Sequence, residues 1–297
     1  MNQASLQEVM SVIQKTCGKE AINIGVKLMD IERLALPARA ITRSWYGGLP
    51  YGRLIEFSGA EHSGKTTTAL MAIGAYQKLP NAKRAVFIDV EGGYDAIWAK
   101  KMGVDNSKIL LFSPNVQTAE EIFQWILELI ETEEVGMVVL DSIPALVPQN
   151  ESEKKMGEMT MGGISQPLTV FTRKIVRILN KHRDCLFIGI NQLRDSMSSY
   201  GAPTKTIGGR MWKHGASLRI EFRGYNIDKD FKPLPQAAEN IEGTMIQAYL
   251  VKNKTAPRDI KVGQYFVLFH SGFNEHRDIF NYALNEGLIT QAGSSYR

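Results

Sequence analysis

The 297-residue sequence predicts an α/β fold: a mixed, mostly parallel sheet flanked by helices, with a short N-terminal helical arm and an abbreviated C-terminal segment. Three observations predict it. Short apolar runs ("RLIEFS", "AVFID", "ILLFS", "GMVVLD", "CLFIGIN") alternate with helical patterns. Strands with so little polar alternation are buried on both faces, as in a parallel sheet covered by helices. Three later runs, "SLRIEF", "MIQAYLV" and "QYFVLF", do alternate and predict an antiparallel extension of the sheet. Third, the stretch "GAEHSGKTTT" lies between the first apolar run and a helical pattern.

Taken in order, the chain opens with an amphipathic helix, because Leu6, Val9, Met10 and Ile13 recur at i, i+3, i+4 and i+7. It packs either within its own chain or on another subunit; the pattern alone does not choose. Little period follows until the turn-rich "YGGLPYGR", Tyr46 to Arg53. "TAEEIFQWILELIE" starts with a Thr118-x-x-Glu121 capping box and lines one face with Ile122, Trp125, Ile126, Leu129 and Ile130. From Thr169 onwards, Phe171, Ile175, Ile178 and Leu179 make an apolar stripe, with Arg173, Arg177 and Lys181 on another face. The segments Gln149 to Ile164 and Gln192 to Arg210 are polar, rich in Gly, Ser and Met, and lack period. Loops of that length inside a compact core are functional or disordered. The organisation is an arm over 1–35, a core over 36–270 and a short terminal segment over 271–297.

Composition bounds the function. Hydrophobic residues at 44% and charged residues at 22% are ordinary for a globular protein. No apolar run has the length to span a bilayer, so no membrane partner and a cytoplasmic location are expected. Cys17 and Cys185 give neither a disulfide framework nor a metal pattern, and the five histidines are scattered. A net charge of +4 permits a nucleic-acid partner without demanding one.

Gly59 to Thr66 fits GxxxxGK[ST], with the strand before it and the helix after it that this motif requires. Gly59 and Gly64 let the backbone curl so that the N–H groups of Ala60, Glu61, His62, Ser63 and their neighbours up to Thr67 face an anion at a helix N-terminus. Lys65 supplies a point charge for the β/γ-phosphates, and the Thr66 hydroxyl suits Mg²⁺. A second acid near the magnesium is expected at a strand end, where "GMVVLDS" offers Asp141, seconded by Ser142. "AVFIDVEGGYD" places Asp89 and Glu91 beyond another strand end; Glu91 is the expected water-activating carboxylate and Asp89 structural. Gln192 ends the strand "CLFIGINQ" and is either a γ-phosphate contact or an ordinary strand-end amide. Lys252 and Lys254 leave one face of a strand together, either as guards of an edge or to reach a phosphate in a neighbouring subunit.

"GGLPYGRLIEFSGAEHSGKTT", "FIDVEGGYD", "VVLDSIPAL", "INQLR", "TIGGRMWKHGASLRIEF" and "VKNKTAP" stand in the order and approximate spacing of the bacterial RecA recombinases, which the chain resembles over roughly residues 40 to 296. The short front end and the liberties within motifs suggest a phage-type or divergent member. The resemblance implies a RecA-like P-loop ATPase core that binds ATP and Mg²⁺ and polymerises as a helical filament on single-stranded DNA. It then pairs that strand with homologous duplex and exchanges strands. It also implies roles: Glu91 as catalytic glutamate, Asp141 as second magnesium-site acid, Gln192 as γ-phosphate sensor, and Lys252 and Lys254 as the pair acting across the subunit interface. Asp95 and Trp98 match positions that meet the adenine, although Trp98 taken alone reads as core. The two irregular segments match the DNA-binding loops, about 149–164 and 192–210. Met161 matches a residue that wedges between base steps, with Gly162 and Gly163 beside it. Arg173, Arg194, Lys205, Arg210 and Lys213 would contact phosphates, and Gly208 and Gly209 would let the backbone approach. The opening helix would be the polymerisation arm.

Departures are visible too. Gln166 replaces an arginine of the first DNA loop, and His214 replaces a phenylalanine that packs on the neighbouring subunit in the family. The family's C-terminal lobe is longer, and the stop at "AGSSYR" reads either as a lobe largely missing or as a sequence cut short. The rival to a DNA-dependent ATPase that performs recombination is a RecA-like binding or regulatory protein without strand exchange. A ring helicase would want an arginine finger where this chain has paired lysines. A small-molecule kinase would want an arginine-bearing lid, and none is seen.

Overall fold

A computed structural model describes residues 5–17, 31–114, 116–154, 163–195, 204–235, 237–257, 259–293 and 295–296. The chain divides into two units, residues 1–32 and 33–297. The first contains α1 (Leu6–Cys17), the expected amphipathic helix, with Leu6 and Val12 largely exposed.

The second unit follows the predicted alternation. It begins with β1 (Arg33–Leu34), α2 (Arg39–Ser44), β2 (Leu49–Pro50), β3 (Leu54–Gly59), α3 (Lys65–Gln77) and β4 (Arg84–Asp89). There follow α4 (Ala96–Lys101), β5 (Ile109–Phe112), α5 (Ala119–Glu131), β6 (Val135–Asp141), α6 (Gln149–Ser152), α7 (Ser165–Lys181) and β7 (Leu186–Asp195). The remainder is β8 (Thr204–Thr206), α8 (Gly209–Gly215), β9 (Leu218–Ile227), β10 (Gly243–Asn253), β11 (Val262–Leu268), β12 (Gly272–Phe273), α9 (Glu275–Asn285), β13 (Gln291–Ala292) and β14 (Ser295–Tyr296).

Among the described residues one ten-stranded sheet runs in the order β12-β11-β10-β9-β3-β7-β6-β4-β5, with β8 attached to β7. Strand alternation sends successive side chains to opposite faces. Ile55, Phe57, Phe87, Met137 and Val139 therefore join one core with α3, while Leu54, Val86, Ile88, Val138 and Leu140 join a second core with α5, α7 and α8. The capping box of α5 is present in full, with Thr118 Oγ1 accepting from Glu121 N and the Glu121 carboxylate accepting from Thr118 N. Phe123 of α5 stacks on Phe171 of α7 at 4.2 Å between ring centres, a contact worth about 0.5–1.5 kcal/mol beyond its buried area.

Three expectations change. β9 is parallel to β3 and antiparallel only to β10, so the antiparallel extension starts one strand later. Its alternation reports one wet face and says nothing of its neighbour's direction. β5 is not buried on both faces: as the sheet's edge it leaves Leu110 and Leu111 at 44% and 47% exposure. The two irregular segments are also partly ordered. α6 occupies the start of the first, and in the second β7 continues to Asp195 and pairs antiparallel with β8, making a ribbon.

Candidate functional site

The turn joining β3 to α3 is the centre of the site. Gly64 lies at φ 94°, and a Cβ there would come within 2.4 Å of Ile246 Cδ1. The left-handed backbone favours glycine, and a methyl there would also have to displace the Ile246 side chain. A Cβ at Gly59 would lie 2.5 Å from Phe222 O and from Ser63 Oγ. The loop therefore lies close against β9 and β10 and delivers the first turn of α3, whose free N–H groups suit an anion.

Lys65 is buried; its Nζ donates to Ala60 O at 2.6 Å and lies 3.5 Å from Ser63 Oγ. Burial lowers its ammonium pKa from the ordinary lysine value, while Asp141, Glu91 and Glu61 act the other way. A desolvated ammonium resting on a neutral carbonyl favours an anionic ligand.

Asp141 and Asp89 stand side by side at the ends of β6 and β4. Thr66 Oγ1 donates to Asp141 Oδ2 at 2.6 Å, and burial pushes the Asp141 carboxyl up to about 6. A cation would relieve that desolvation, and hydroxyl plus carboxylate is the oxygen chemistry Mg²⁺ takes. Among the described residues no group of three or more His, Cys, Asp or Glu could hold a metal by itself. The pair therefore fits an ion that draws its other ligands from phosphate and water. Asp89 accepts from Gly93 N at 3.0 Å and Tyr94 N at 2.9 Å, which shapes the turn after β4.

Glu91 projects from that turn, and its Oε1 accepts from Ser142 Oγ and from Gln192 Nε2, the latter at 3.3 Å. Ser142 thus seconds Glu91 rather than Asp141. Thr66 bonds Asp141, Gln192 bonds Glu91, and Lys65, Asp141 and Glu91 act on one another electrostatically, so the five form one polar cluster.

A cavity of about 1040 Å³ opens beside the loop, lined by Ala60 to Thr67, Trp98, Leu193, β9 and β10 residues, and Phe269. Trp98 Nε1 donates to Thr67 Oγ1 at 3.3 Å. Asp95 is not on the lining; its carboxylate N-caps α4, accepting from Ile97 N at 2.8 Å and Trp98 N at 3.0 Å. Short polar side chains at helix starts satisfy otherwise free N–H groups, and that role absorbs Asp95 here. Phe269 carries no sequence signal of its own. It follows β11 as a 47% exposed aromatic, and only the fold sets it on the same cavity as Trp98.

Lys252 and Lys254 lie off this cavity. Both Nζ atoms donate to the backbone of α8's last turn: Lys252 to Lys213 O and, at 3.1 Å, to His214 O, and Lys254 to His214 O. Cations suit the free carbonyls at a helix C-terminus. Burial and the neighbouring Lys254 push the Lys252 ammonium down to about 8.

Of the expected DNA contacts, Met161 and Gly162 lie outside the described residues, as do the side chains of Arg194 and Lys205 on β7 and β8. Gly163 and Gly209 lie at φ 44° and 66° with open space where a Cβ would sit. Gly208 differs: it lies at φ 103°, and a Cβ there would also meet the tip of the Leu168 side chain at 2.5 Å, so the local backbone already favours glycine. Arg173 and Arg210 are exposed and Lys213 is half-buried. Gln166 is exposed in the first turn of α7.

The RecA N-terminal domain family matches residues 4–274. The chain is 33% identical over 296 residues to Protein RecA of Thermotoga maritima, covering 98% of this chain and 80% of that one. It is 33% identical over 298 residues to Protein RecA of Cytophaga hutchinsonii, covering 98% and 79%. Against Protein RecA of Ureaplasma parvum serovar 3 the identity is 35% over 248 residues, covering 83% and 70%.

Proposed function

The chain belongs to the RecA family of DNA recombinases, and from that premise we propose that it assembles with ATP as a helical filament on single-stranded DNA. It pairs that strand with homologous duplex DNA and exchanges strands, and DNA stimulates its ATP hydrolysis. The observation that carries this is the Gln192 amide. It touches Glu91 in the cluster beside the phosphate loop, while its own strand runs on to pair with β8 in the 192–210 segment. One side chain therefore belongs to both halves of the proposed activity.

In this account the loop from Gly59 to Thr67 and the Lys65 ammonium hold the phosphates. Thr66 and Asp141 hold Mg²⁺, which neutralises charge on the β- and γ-oxygens when bound. Glu91, fixed by Ser142, orients the attacking water and takes its proton. Gln192 meets the γ-phosphate, which competes with Glu91 for its amide. Trp98 and Phe269 supply aromatic faces for the base, and Asp95 acts indirectly by fixing the start of α4. Lys252 and Lys254 leave the α8 carbonyls to meet a neighbour's phosphate. Arg173, Arg194, Lys205, Arg210 and Lys213 contact the DNA backbone, Gly163 and Gly209 admit it closely, and Met161 with Gly162 meets the bases. The arm over 1–35 joins subunits. A cytoplasmic location goes with this activity; among the described residues no helix is long and apolar enough to cross a membrane.

The test is strand exchange between a labelled duplex and a homologous single strand, with Mg²⁺ and ATP. Release of the labelled strand, lost in Lys65→Ala, is the expected result. Tight ATP-dependent DNA binding with no strand released would favour a binding or regulatory role instead, for which Gln166 and His214 would be the first residues to revert.

A further inference from the structure

We propose that Glu56 is a positioning residue that ties the phosphate-loop strand to β8 and α8, the described end of the 192–210 segment and the helix that follows it. Its functional consequence rests on the DNA-binding role proposed above for that segment; its geometry does not.

Glu56 sits within β3, on the strand that ends in the phosphate loop, and is fully buried. Charged side chains are almost never fully buried unless paired. Here Oε1 accepts from Asn191 Nδ2 at 3.0 Å and from Trp212 Nε1 at 2.8 Å, and Oε2 pairs with Arg219 Nε. The donors come from β7, α8 and β9, elements on either side of β3 and above it in sequence. Two of them reach further. Asn191 Nδ2 also donates to Ile207 O at 2.9 Å, and Arg219 Nη2 donates to Thr206 Oγ1 at 3.4 Å. One carboxylate thus gathers the residue preceding Gln192, the residues that re-enter from the ribbon, and the helix that follows.

The network continues on the far side. Arg219 lies opposite Lys252 in the β9–β10 register, and Lys252 holds the last turn of α8. α8 is therefore gripped at Trp212 by the phosphate-loop strand and at its C-terminus by the lysine pair.

Packing alone does not call for a charge at this place, because well-packed apolar groups usually match a buried ion pair in stability. What a fully satisfied buried network adds is one defined arrangement of its members. Movement of Gln192 toward a nucleotide displaces Asn191, and Asn191 shares its amide between Glu56 and Ile207. β8 and α8 must then answer to the nucleotide. Coupling between the two sites requires that this arrangement give way to a second one when nucleotide binds.

The test is amide hydrogen exchange of the full chain, with and without Mg·ATPγS and without DNA, read over residues 204–215. Glu56→Gln replaces one acceptor oxygen by an NH₂ group that faces N–H donors. Wild type is expected to change exchange over 204–215 by roughly five-fold or more on nucleotide binding, and Glu56→Gln by less than about two-fold, with ATPγS affinity within about three-fold of wild type. Trp212→Phe keeps the buried ring but removes its N–H, and is expected to lose part of the response even if Glu56→Gln fails to fold. Variants that fold, bind ATPγS and keep the wild-type response would overturn the proposal, as would a wild type whose 204–215 amides ignore the nucleotide. Because no DNA is present, loss of strand exchange with an intact response would count against the recombinase function alone.

Discussion

Gln192 Nε2 donates to Glu91 Oε1 at 3.3 Å, joining the C-terminal half of β7 to the turn beyond β4. Ser142 donates to the same oxygen, so the carboxylate is held from two sides before any ligand arrives. Glu91→Gln keeps the shape of this contact but removes the base. We expect steady-state ATP hydrolysis to fall by about 10²–10⁴-fold, with ATP binding by calorimetry changed little. Unchanged hydrolysis would remove Glu91 from the chemistry.

The Asp141 carboxyl titrates near 6 in the folded chain against an ordinary value of 3.8. Between those values the folded state keeps a proton that the unfolded state has released, so stability falls as pH rises from about 4 to about 6. The contribution is at most about 3 kcal/mol. Denaturant titrations of the metal-free protein should show this decline, and Asp141→Asn should flatten it. Saturating Mg·ATP should remove it as well, since a cation favours the charged form.

Gly64→Ala should destabilise the chain by about 1–3 kcal/mol through its left-handed backbone. The added methyl must also displace the tip of Ile246. Denaturant unfolding measures the first effect. A parallel loss of ATP affinity is expected because the loop must shift to admit the methyl.

Trp98 and Phe269 line one cavity with the phosphate loop. Removing either ring should weaken ATP binding by about ten-fold, the scale of one base–aromatic contact. Trp98→Phe should restore most of the loss. Equal affinity for all nucleoside triphosphates in both alanine variants would fit that role; unchanged ATP affinity would exclude it.

Local signals were legible in the sequence, and long-range ones were not. The phosphate loop, Asp141 at its strand end and the Thr118 capping box depend on spacing within a few residues, and each stands where the pattern put it. The parallel direction of β9 depends on β3, far back in the chain, and alternation is blind to it. Exposure of Leu110 and Leu111 follows from strand order, which no single run encodes. Asp95 entered only through the resemblance, and its capping of α4 is seen only once that helix is built behind it. Glu56 offers no signal at all: alone in "RLIEF" it breaks an apolar run, and its partners at 191, 212 and 219 meet only in the folded sheet.

Steady-state ATP hydrolysis by the intact chain with Mg²⁺, with and without long single-stranded DNA, tests the central claim most directly. Contact between Glu91, Gln192 and the ribbon predicts a large stimulation by DNA that Glu91→Gln abolishes. Equal rates with and without DNA, at saturating ATP and with DNA demonstrably bound, would contradict it: the nucleotide cluster and the 192–210 segment would then be neighbours without being coupled.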